Sequence, residues 1–474
     1  MLNFHWSNTM TISSIFNAQK SNHGVLRARS SQQRIRQLQA LRAKLIHSKR
    51  DICDAQNKEL KTCDMDTEAQ LMMLNIEIDF ICKHLSRWMK PRRVKNSQAT
   101  IGKKCYIQYE PKGSVLNIST WNAPIAINIM PIIGALAAGN SAIIKPSELA
   151  PHTATVTSEI ISAIFPRNQC AVFEGGPEIA QELLNHPFNH IYYTGGHRVG
   201  RIVMKAAAEN FSDITLEMGG KNPAIIDATA EVSNAALKLA WGRMANAGQV
   251  CIGPDYILVD QMVEQSFISA AKAALIRLYN PRGYGFKNCA EFPRLISDSH
   301  FERVKGLIDE AISKGAILEF GGEYDAEQRY ISPTILSGVS DTMAIMQEEV
   351  FGPVMVVIGC ENSEQMLSTI KRQHKPLALY IFSKNRSTIN YFLHNTSAGS
   401  TVVNHNLIQS GTNPNLAFGG VNHSGTGRIG GFQSFLEFSN PRSIVESPLG
   451  WRDININFPP YSKIYKKLVA KMLS

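Results

Sequence analysis

The chain has 474 residues, of which 44% are hydrophobic and 19% are charged, a composition typical of a globular protein with two or more domains. Its eight cysteines are scattered singly, with no Cys-x-x-Cys pair and no cysteine–histidine cluster at zinc spacing. This pattern argues against disulfides and a metal site and predicts a reducing, cytoplasmic location. The longest apolar run, residues 125–136, contains Asn128 and Pro131 and is too short to span a bilayer.

The formal net charge of +10 is concentrated at the N-terminus, because residues 1–50 contain no aspartate or glutamate. One interpretation is a loose arm over residues 1–30, followed by a solvated basic helix that begins near Ser31. The Arg- and Ser-rich, acid-poor composition is also typical of an organelle targeting peptide. A nucleic-acid-binding arm is disfavoured, since no interleaving of aromatic and basic residues accompanies the charge.

Residues 31–90 have apolar positions at helical spacing, as in QLQALRAKLI and LMMLNIEIDFICKHL. From about residue 113 onward, short β-rich runs alternate with helical ones. The predicted strands of this first series are 115–120, 141–145, 190–194 and 214–218. Such alternation predicts a parallel, doubly wound α/β sheet.

A second α/β series follows Gly219-Gly220, where the domain boundary is predicted. It starts with a strand at 223–227 and a helix at 231–247, and the pattern continues to about residue 425. The C-terminal stretch KIYKKLVAKMLS, residues 463–474, is basic and amphipathic. It is either a packing segment or a contact with a membrane surface, and packing is the favoured interpretation.

Polar or glycine-rich groups follow four predicted strands of the first series, at the edge where doubly wound sheets bind their ligands. These groups are Trp121-Asn122, Lys145 with Glu148, Gly195 to Gly200, and Glu217 to Gly220. A glycine-bracketed turn that opens a helix can face a phosphate. The literal Gly-x-Gly-x-x-Gly at 425–430 follows a loop rather than a strand, so we reject it as a dinucleotide fingerprint.

One cysteine, Cys251, lies in the stretch NAGQVCIGPD (246–255), among small and turn-forming residues just after a predicted helix. A nucleophilic cysteine needs exposure and hydrogen-bond donors for the oxyanion that forms on attack. Taken alone, an inert cysteine in a turn is the commoner case. Cys251 becomes a candidate nucleophile through the motifs that accompany it.

Seven motifs occur together in one order: WNAP (121–124), GNSAIIKPSE (139–148), YTGGHRVG (193–200), LEMGGKNP (216–223), NAGQVCIGPDY (246–256), EEVFGPV (348–354) and NPNLAFGG (413–420). In this order and spacing, the chain from about residue 31 to 445 resembles the NAD(P)-dependent aldehyde dehydrogenase superfamily. It looks most like the class 3 branch, which includes fatty, aromatic and coniferyl aldehyde dehydrogenases. The resemblance implies an enzyme that oxidises an aldehyde to the carboxylic acid with NAD(P)+, through a cysteine thiohemiacetal and thioester.

The resemblance also implies the domain organisation. A Rossmann-type cofactor domain is expected over residues 31–218 and a second α/β catalytic domain over 219–425. A small oligomerisation element is expected from a hairpin at about 93–111 and from residues 426–474, which comprise a C-terminal oligomerisation segment and the tail. These parts are expected to pair two subunits in a homodimer.

Positions that match the family's motifs take over the roles of its site residues. Cys251 matches the nucleophile, Glu217 the general base and Asn122 the side-chain oxyanion donor. The cofactor and tunnel matches are Lys145 and Glu148 for the adenosine ribose, Gly195 and Gly200 for the pyrophosphate turn, Glu349 and Phe351 for the nicotinamide ribose and ring, Trp121 beside the cofactor and the aldehyde tunnel, and Phe418 along that tunnel. No metal is expected.

The pyrophosphate turn bears on the choice of cofactor. His197 and Arg198 add positive charge that favours an adenosine 2′-phosphate, whereas Glu148 repels one. NAD is therefore the favoured cofactor and NADP the alternative. The expected substrate is a hydrophobic aliphatic or aromatic aldehyde, for example coniferyl aldehyde. Two rival interpretations are a catalytically silent scaffold of the same family and a cofactor-independent thiol esterase. The joint presence of Cys251 and Glu217 with the cofactor motifs opposes both.

Overall fold

The computed structural model describes residues 11–409, 411, 413–450 and 458–474. The α-helices of these residues are α1 (Ile12–Ala28), α2 (Ser31–His47), α3 (Lys49–Leu60), α4 (Asp64–Trp88), α5 (Pro124–Ala138), α6 (Pro151–Ser162), α7 (Pro177–Leu184), α8 (His197–Glu209), α9 (Val232–Met244), α10 (Glu264–Tyr279), α11 (Asp298–Ser313), α12 (Ala344–Gln347), α13 (Ser363–Arg372), α14 (Arg386–Asn395), α15 (Phe432–Glu437) and α16 (Lys463–Leu473). The β-strands are β1 (Arg92–Arg93), β2 (Lys104–Pro111), β3 (Ser114–Ile118), β4 (Ser141–Lys145), β5 (Cys170–Val172), β6 (His190–Gly195), β7 (Asp213–Met218), β8 (Pro223–Ile226), β9 (Tyr256–Asp260), β10 (Ile317–Phe320), β11 (Tyr324–Asp325), β12 (Tyr330–Ile331), β13 (Thr334–Ser337), β14 (Val354–Cys360), β15 (Ala378–Phe382), β16 (Ser400–Val403), β17 (Gly425–Thr426) and β18 (Ser439–Glu446).

The first large sheet has the strand order β17-β7-β6-β3-β4-β5. Strands β3 to β7 run parallel, and short β17 joins antiparallel to β7. Every residue of β3 and β4 is buried, as expected for central strands covered by helices on both faces. The four strands predicted for this region are present as β3, β4, β6 and β7.

The second large sheet has the order β10-β13-β14-β9-β8-β15-β16 and is parallel except for the edge strand β10. The chain changes sheets between Met218 and Pro223, and β17 returns it to the first sheet near residue 425. Two α/β sheets meeting at this crossover confirm the predicted architecture.

The N-terminal segment is more ordered than predicted. Residues 12–28 form α1, which buries Ile15 and Phe16, and the Gln19 side chain donates a hydrogen bond to the Ala142 carbonyl at 2.9 Å. The prediction of a loose arm is wrong for these residues, because apolar positions at helical spacing pack α1 onto the first sheet. Residues 1–10 of the predicted arm lie outside the described residues. The helix predicted near Ser31 is α2, which a capping box at Ser30 begins.

A third, smaller sheet has the order β1-β2-β18. Strand β18 pairs antiparallel with the whole of β2, so the sequence regions expected to pair subunits are joined within one chain. The C-terminal segment does not pack as predicted, since no residue of α16 is buried. Among the described residues, no helix is long and apolar enough to cross a membrane.

Candidate active site

Cys251 is presented by an irregular loop, the cysteine loop (residues 246–255), directly after α9. The first two residues of this loop have left-handed φ angles of 50° and 51°, and Gly248 follows with φ of 76°. A Cβ on Gly248 would lie 2.0 Å from the Gly352 carbonyl oxygen, so only glycine fits this close approach. The reversal leaves Cys251 partly exposed rather than packed inside a helix.

Hydrogen bonds from two side chains fix the backbone of the cysteine loop. Asn222 donates through Nδ2 to the carbonyl oxygens of Cys251 and Gly253, at 2.8 Å and 2.9 Å. The Gln249 side chain donates to the Arg294 carbonyl at 3.0 Å. The loop is therefore held from both sides, which restricts the positions available to the thiol.

Glu217 stands beside the thiol. It lies near the end of β7, is only 6% exposed, and its carboxyl group is within hydrogen-bonding reach of Cys251. Its Oε1 atom is buried and has no hydrogen-bond partner among the described residues. A buried, unpartnered carboxylate oxygen is costly unless a water or a substrate group satisfies it, so this atom marks a place for one.

Burial and charge shift the pKa values of both groups upward. Burial raises the pKa of the Cys251 thiol well above its ordinary value, and the neighbouring Glu217 charge raises it further. Burial also raises the pKa of Glu217, although contact with the thiol lowers it in part. At neutral pH the cysteine is therefore a thiol that needs a base, and Glu217 is the nearest carboxyl group able to accept its proton.

Asn122 is the third group at this point. It follows β3 and precedes α5, and its Nδ2 donates to the Gln249 carbonyl oxygen at 3.1 Å. The Asn122 carbonyl in turn accepts a hydrogen bond of 2.7 Å from the Asn246 side chain. An amide nitrogen carries two hydrogens, so one hydrogen of the Asn122 side chain remains available next to the cysteine loop.

Glu349 and Phe351 belong to the second lobe and contact residues that follow the strands of the first sheet. A Cβ on Gly219, two residues after Glu217, would lie 1.9 Å from Glu349 Oε2, so the carboxyl group rests on the glycine backbone. Phe351 has φ of 44°, and its ring packs edge-on against Trp121 with centroids 5.5 Å apart. The structure thus brings together residues that the sequence separates by more than one hundred positions.

The remaining predicted residues line the carboxyl ends of β4 and β6. Lys145 is buried at the end of β4, and its Nζ lies 2.8 Å from Glu148 Oε2. Gly195 ends β6, while Gly200 sits in the first turn of α8, where a Cβ would lie 2.7 Å from Met218 Sδ. Because β4, β3, β6 and β7 are neighbours, these groups share one edge with Asn122 and Glu217.

This edge fits a dinucleotide. Helix α8 follows Gly196, which has no side chain to cap it, so its first amides face outward and suit a diphosphate. The side chains of Lys145 and Glu148 can form hydrogen bonds with ribose hydroxyls. Glu349 lies closer to Cys251. The rejected Gly-x-Gly-x-x-Gly stretch begins in β17 and does not open such a turn.

His197 adds less charge to this turn than its residue type suggests. Its Nε2 lies 3.0 Å from the His423 carbonyl oxygen, and the two rings stack with centroids 4.0 Å apart. Burial lowers the pKa of His197, although the contact with the His423 carbonyl raises it in part, and nearby Arg201 lowers it further. His197 is therefore neutral at pH 7, and of the two residues singled out for a 2′-phosphate only Arg198 carries a charge.

Phe418 packs against the apolar cores of both lobes. Val250, Cys251 and Leu407 also pack against the core of the second lobe. Trp241, near the end of α9, is 40% exposed at the surface. The surroundings of Phe418 are therefore apolar.

Three charged residues that the sequence did not single out join the cysteine loop to the Glu349 segment. Lys221 Nζ lies 2.6 Å from Asp255 Oδ1, and Asp255 Oδ2 accepts a hydrogen bond of 3.0 Å from the Val350 amide. Buried Arg243 donates to the Gly352 carbonyl at 2.6 Å. Lys221 lies within the motif LEMGGKNP (216–223) and Asp255 within NAGQVCIGPDY (246–256), and these motifs were the only sequence signal for the two residues.

Breaking this connection is expected to be costly. Lys221→Met leaves the Asp255 carboxylate buried without its cation, so the free energy of unfolding should fall by about 3–5 kcal/mol. Urea denaturation measures the loss. The double variant Lys221→Met/Asp255→Leu should lose less than the single variant, because no unpaired charge remains. A single-variant loss below about 1 kcal/mol would contradict this role of the ion pair.

Comparisons with known proteins identify the family of the chain. The family model described as "Aldehyde dehydrogenase family" matches residues 2–444. "Aldehyde dehydrogenase, dimeric NADP-preferring" from Canis lupus familiaris is 37% identical over 436 residues, covering 92% of this chain and 94% of that protein. "Aldehyde dehydrogenase family 3 member A2" from Rattus norvegicus is 37% identical over 439 residues, covering 92% and 89%.

Among solved structures, the substrate-bound state of Staphylococcus aureus AldH superposes with a TM-score of 0.93 at 34% sequence identity, covering 98% of this chain and all of that one. The chain therefore belongs to the aldehyde dehydrogenase family. It is an NAD(P)-dependent oxidoreductase that oxidises aldehydes, and its sequence is similar to family 3 members.

Proposed function

We propose that Cys251 attacks the aldehyde as a covalent nucleophile, that NAD(P)+ is the oxidant, and that Glu217 and Asn122 assist the reaction. Glu217 takes the proton of the thiol, and the thiolate adds to the carbonyl carbon of the aldehyde. The oxyanion accepts hydrogen bonds from Asn122 Nδ2 and from the Cys251 backbone amide. Removing one such donor typically costs about 100- to 1,000-fold in rate.

NAD(P)+, when bound, supplies the hydride acceptor that turns the thiohemiacetal into a thioester. Glu217 releases the thiol proton to solvent and then serves a second time, as the base for the water that hydrolyses the thioester; the proton it takes from this water returns to the departing thiolate. The acid leaves and the Cys251 thiol is restored. The observation that carries the proposal is the contact between the thiol and Glu217, whose Oε1 atom is buried without a hydrogen-bond partner among the described residues.

We also propose that Lys145, Glu148, Gly195, Gly200, Glu349, Phe351 and Trp121 hold the cofactor. The position of the first four and of Trp121 along the carboxyl edge of the first sheet supports this role, as does the approach of Glu349 to Gly219 and of Phe351 to Trp121. NAD is the proposed cofactor, with NADP as the alternative. The exposed carboxylate of Glu148 opposes a 2′-phosphate, while Arg198 favours one.

Cofactor binding is expected to depend on pH through Glu349. Burial and the neighbouring Asp255 raise the pKa of Glu349 to about 8. The ribose hydroxyls donate hydrogen bonds to the ionised carboxylate. The affinity for NADH should therefore increase with pH, by up to about tenfold per pH unit, until the pH reaches that pKa, and level off at higher pH. Fluorescence titration of NADH from about pH 6 to about pH 9 measures the profile. Glu349→Gln should flatten it, and an unchanged profile in this variant would contradict the role.

The proposed substrate is a hydrophobic aldehyde, aliphatic or aromatic, with coniferyl aldehyde as one example. The apolar surroundings of Phe418 and Leu407 support it. A panel from short aliphatic aldehydes through decanal to coniferyl aldehyde, with NAD and NADP in parallel, tests the proposal through absorbance of the reduced nicotinamide. Turnover restricted to short polar aldehydes would contradict it. Cofactor binding without any turnover would favour the silent scaffold, and ester cleavage without cofactor would favour the thiol esterase.

We further propose a cytoplasmic homodimer in which the small sheet β1-β2-β18 takes part. Strand β18 lies at the edge of that sheet and is largely exposed, so its outer backbone groups are open to a second strand. Size-exclusion chromatography with light scattering tests the assembly. A monomer at micromolar concentration would remove this proposal.

A further inference from the structure

Two buried polar atoms of the first large sheet lie on neighbouring strands, each without a hydrogen-bond partner. One is Glu217 Oε1 and the other is the hydroxyl oxygen of Thr194, and neither has a partner among the described residues. The two residues are only 6% and 4% exposed. A buried oxygen of either kind costs free energy unless a hydrogen bond satisfies it, so two such atoms together indicate a ligand that pairs with both.

The strand register places the two side chains on one face of the sheet. Thr194 of β6 is the direct partner of Glu217 of β7 in a parallel pair, so the two side chains project in the same direction. Burial raises the pKa of Glu217, while the Cys251 thiol and the Thr194 hydroxyl each lower it in part. Both groups therefore lie next to the carboxyl group, although the hydroxyl forms no hydrogen bond with it.

The polarity of this place suits a water molecule. Tyr192, two residues before Thr194 on the same face of β6, is 2% exposed. Burial raises the pKa of the Tyr192 phenol well above its ordinary value and the Glu217 charge raises it further, while the nearby Thr194 hydroxyl lowers it in part, so the phenol stays protonated at neutral pH. A buried water needs about two to four polar partners. Thr194 and Glu217 supply two, and the Tyr192 hydroxyl offers a third.

We propose that Thr194 positions the water that hydrolyses the thioester on Cys251. The inference rests on the proposed function of Glu217 as the base and adds the group that orients its water. The water donates one hydrogen to Glu217 Oε1 and the other to the Thr194 hydroxyl oxygen, which leaves a lone pair of the water for the acyl carbon. Glu217 alone would leave the water free to rotate about a single hydrogen bond.

Thr194 takes no part in the transfer of protons or electrons. The water oxygen forms a bond with the acyl carbon while one of its protons passes to Glu217. The bond between that carbon and Cys251 Sγ then breaks, the carboxylic acid leaves, and the thiolate takes up the proton that Glu217 received. The Thr194 hydroxyl is unchanged at the end, so it is a positioning group, and serine at this position should replace it.

The decay of the acyl-enzyme tests the proposal. The enzyme is mixed with NAD+ and a limiting amount of aldehyde, the reaction is quenched at intervals, and mass spectrometry measures the acylated fraction. Thr194→Val replaces the hydroxyl with a methyl group, and its acyl-enzyme should decay about 10- to 100-fold more slowly. Thr194→Ser keeps the hydroxyl and should restore the decay. The kcat/KM of Thr194→Val for the aldehyde should be unchanged, because this ratio reports only the steps up to hydride transfer.

The matched control is Thr215→Val, the same substitution on the same face of the neighbouring strand. The Thr215 hydroxyl already has partners, since it donates to Glu437 Oε1 at 2.7 Å and lies 2.8 Å from His190 Nε2. Thr215→Val should therefore lower the melting temperature but keep the decay rate of the acyl-enzyme. Equal slowing in this control would reduce the effect of Thr194→Val to a general disturbance of the sheet and overturn the proposal.

The double variant Thr194→Val/Glu217→Gln separates this inference from the proposed function. If both groups hold the same water, the double variant should hydrolyse its acyl-enzyme no more slowly than Glu217→Gln alone, and multiplied losses would contradict the proposal. Normal hydrolysis in Glu217→Gln would remove the proposed base itself. Slow hydrolysis in Glu217→Gln with normal hydrolysis in Thr194→Val would overturn only the positioning role. Weaker NADH binding by Thr194→Val with normal hydrolysis would assign the hydroxyl to the cofactor site instead.

Discussion

Cys251→Ala is expected to abolish formation of the reduced nicotinamide. Without the thiol no thiohemiacetal forms, and an aldehyde cannot release hydride before its carbonyl carbon has become tetrahedral. Loss of an essential nucleophile should lower kcat by at least about 10,000-fold. The residual rate is measured by absorbance of the reduced nicotinamide with the best aldehyde of the panel.

The control for this variant is another partly buried cysteine, Cys289, in the loop before α11. Cys289→Ala should keep its activity, because that thiol lies beside Glu291 rather than Glu217. Cys251→Ala should also retain its melting temperature and its affinity for NADH, since the thiol is not among the groups that hold the loop. Substantial turnover by Cys251→Ala, or equal loss in Cys289→Ala, would exclude Cys251 as the nucleophile.

Glu217→Gln is expected to separate the two halves of the reaction. Glutamine keeps the shape of the side chain but cannot accept a proton from the thiol or from water. Steady-state turnover should fall by about 100- to 10,000-fold. When the substitution slows hydrolysis of the thioester more than it slows addition of the thiol, rapid mixing will show a burst. The burst will form about one equivalent of reduced nicotinamide per active site, and a slow phase will follow.

The matched control is Glu437→Gln. Glu437 also approaches β7, where it accepts a hydrogen bond of 2.7 Å from Thr215, and its other hydrogen bond among the described residues comes from the Arg428 amide rather than from the cysteine loop. Its replacement should leave both phases intact. Normal steady-state turnover in Glu217→Gln would show that another group serves as the base.

The sequence predicted the strands of the first sheet for physical reasons. Central parallel strands are short, buried β-branched runs, so β3 and β4 are readable from sequence alone. Residues at their carboxyl ends meet at one edge once the sheet is parallel. The approach of Asn122 and Glu217 therefore followed from the topology, and the motif resemblance supplied their expected roles.

Other features depended on tertiary contacts that no local pattern reveals. Arg243 looks like an ordinary helical residue, yet it is buried and binds carbonyl groups around Gly352. The pairing of Lys221 with Asp255 requires the cysteine loop to be folded first. Segment 12–28 was mistaken for a loose arm because its polar, basic surface outweighs the few apolar positions that dock α1 onto the sheet.

The most direct test of the covalent route is mass spectrometry of the Glu217→Gln variant after mixing with an aldehyde and NAD+. We predict one acyl group per chain, carried by the peptide that contains Cys251 and released by hydroxylamine. An acyl group on a different residue would contradict the account. So would slow conversion of the aldehyde to the acid with no adduct on any peptide.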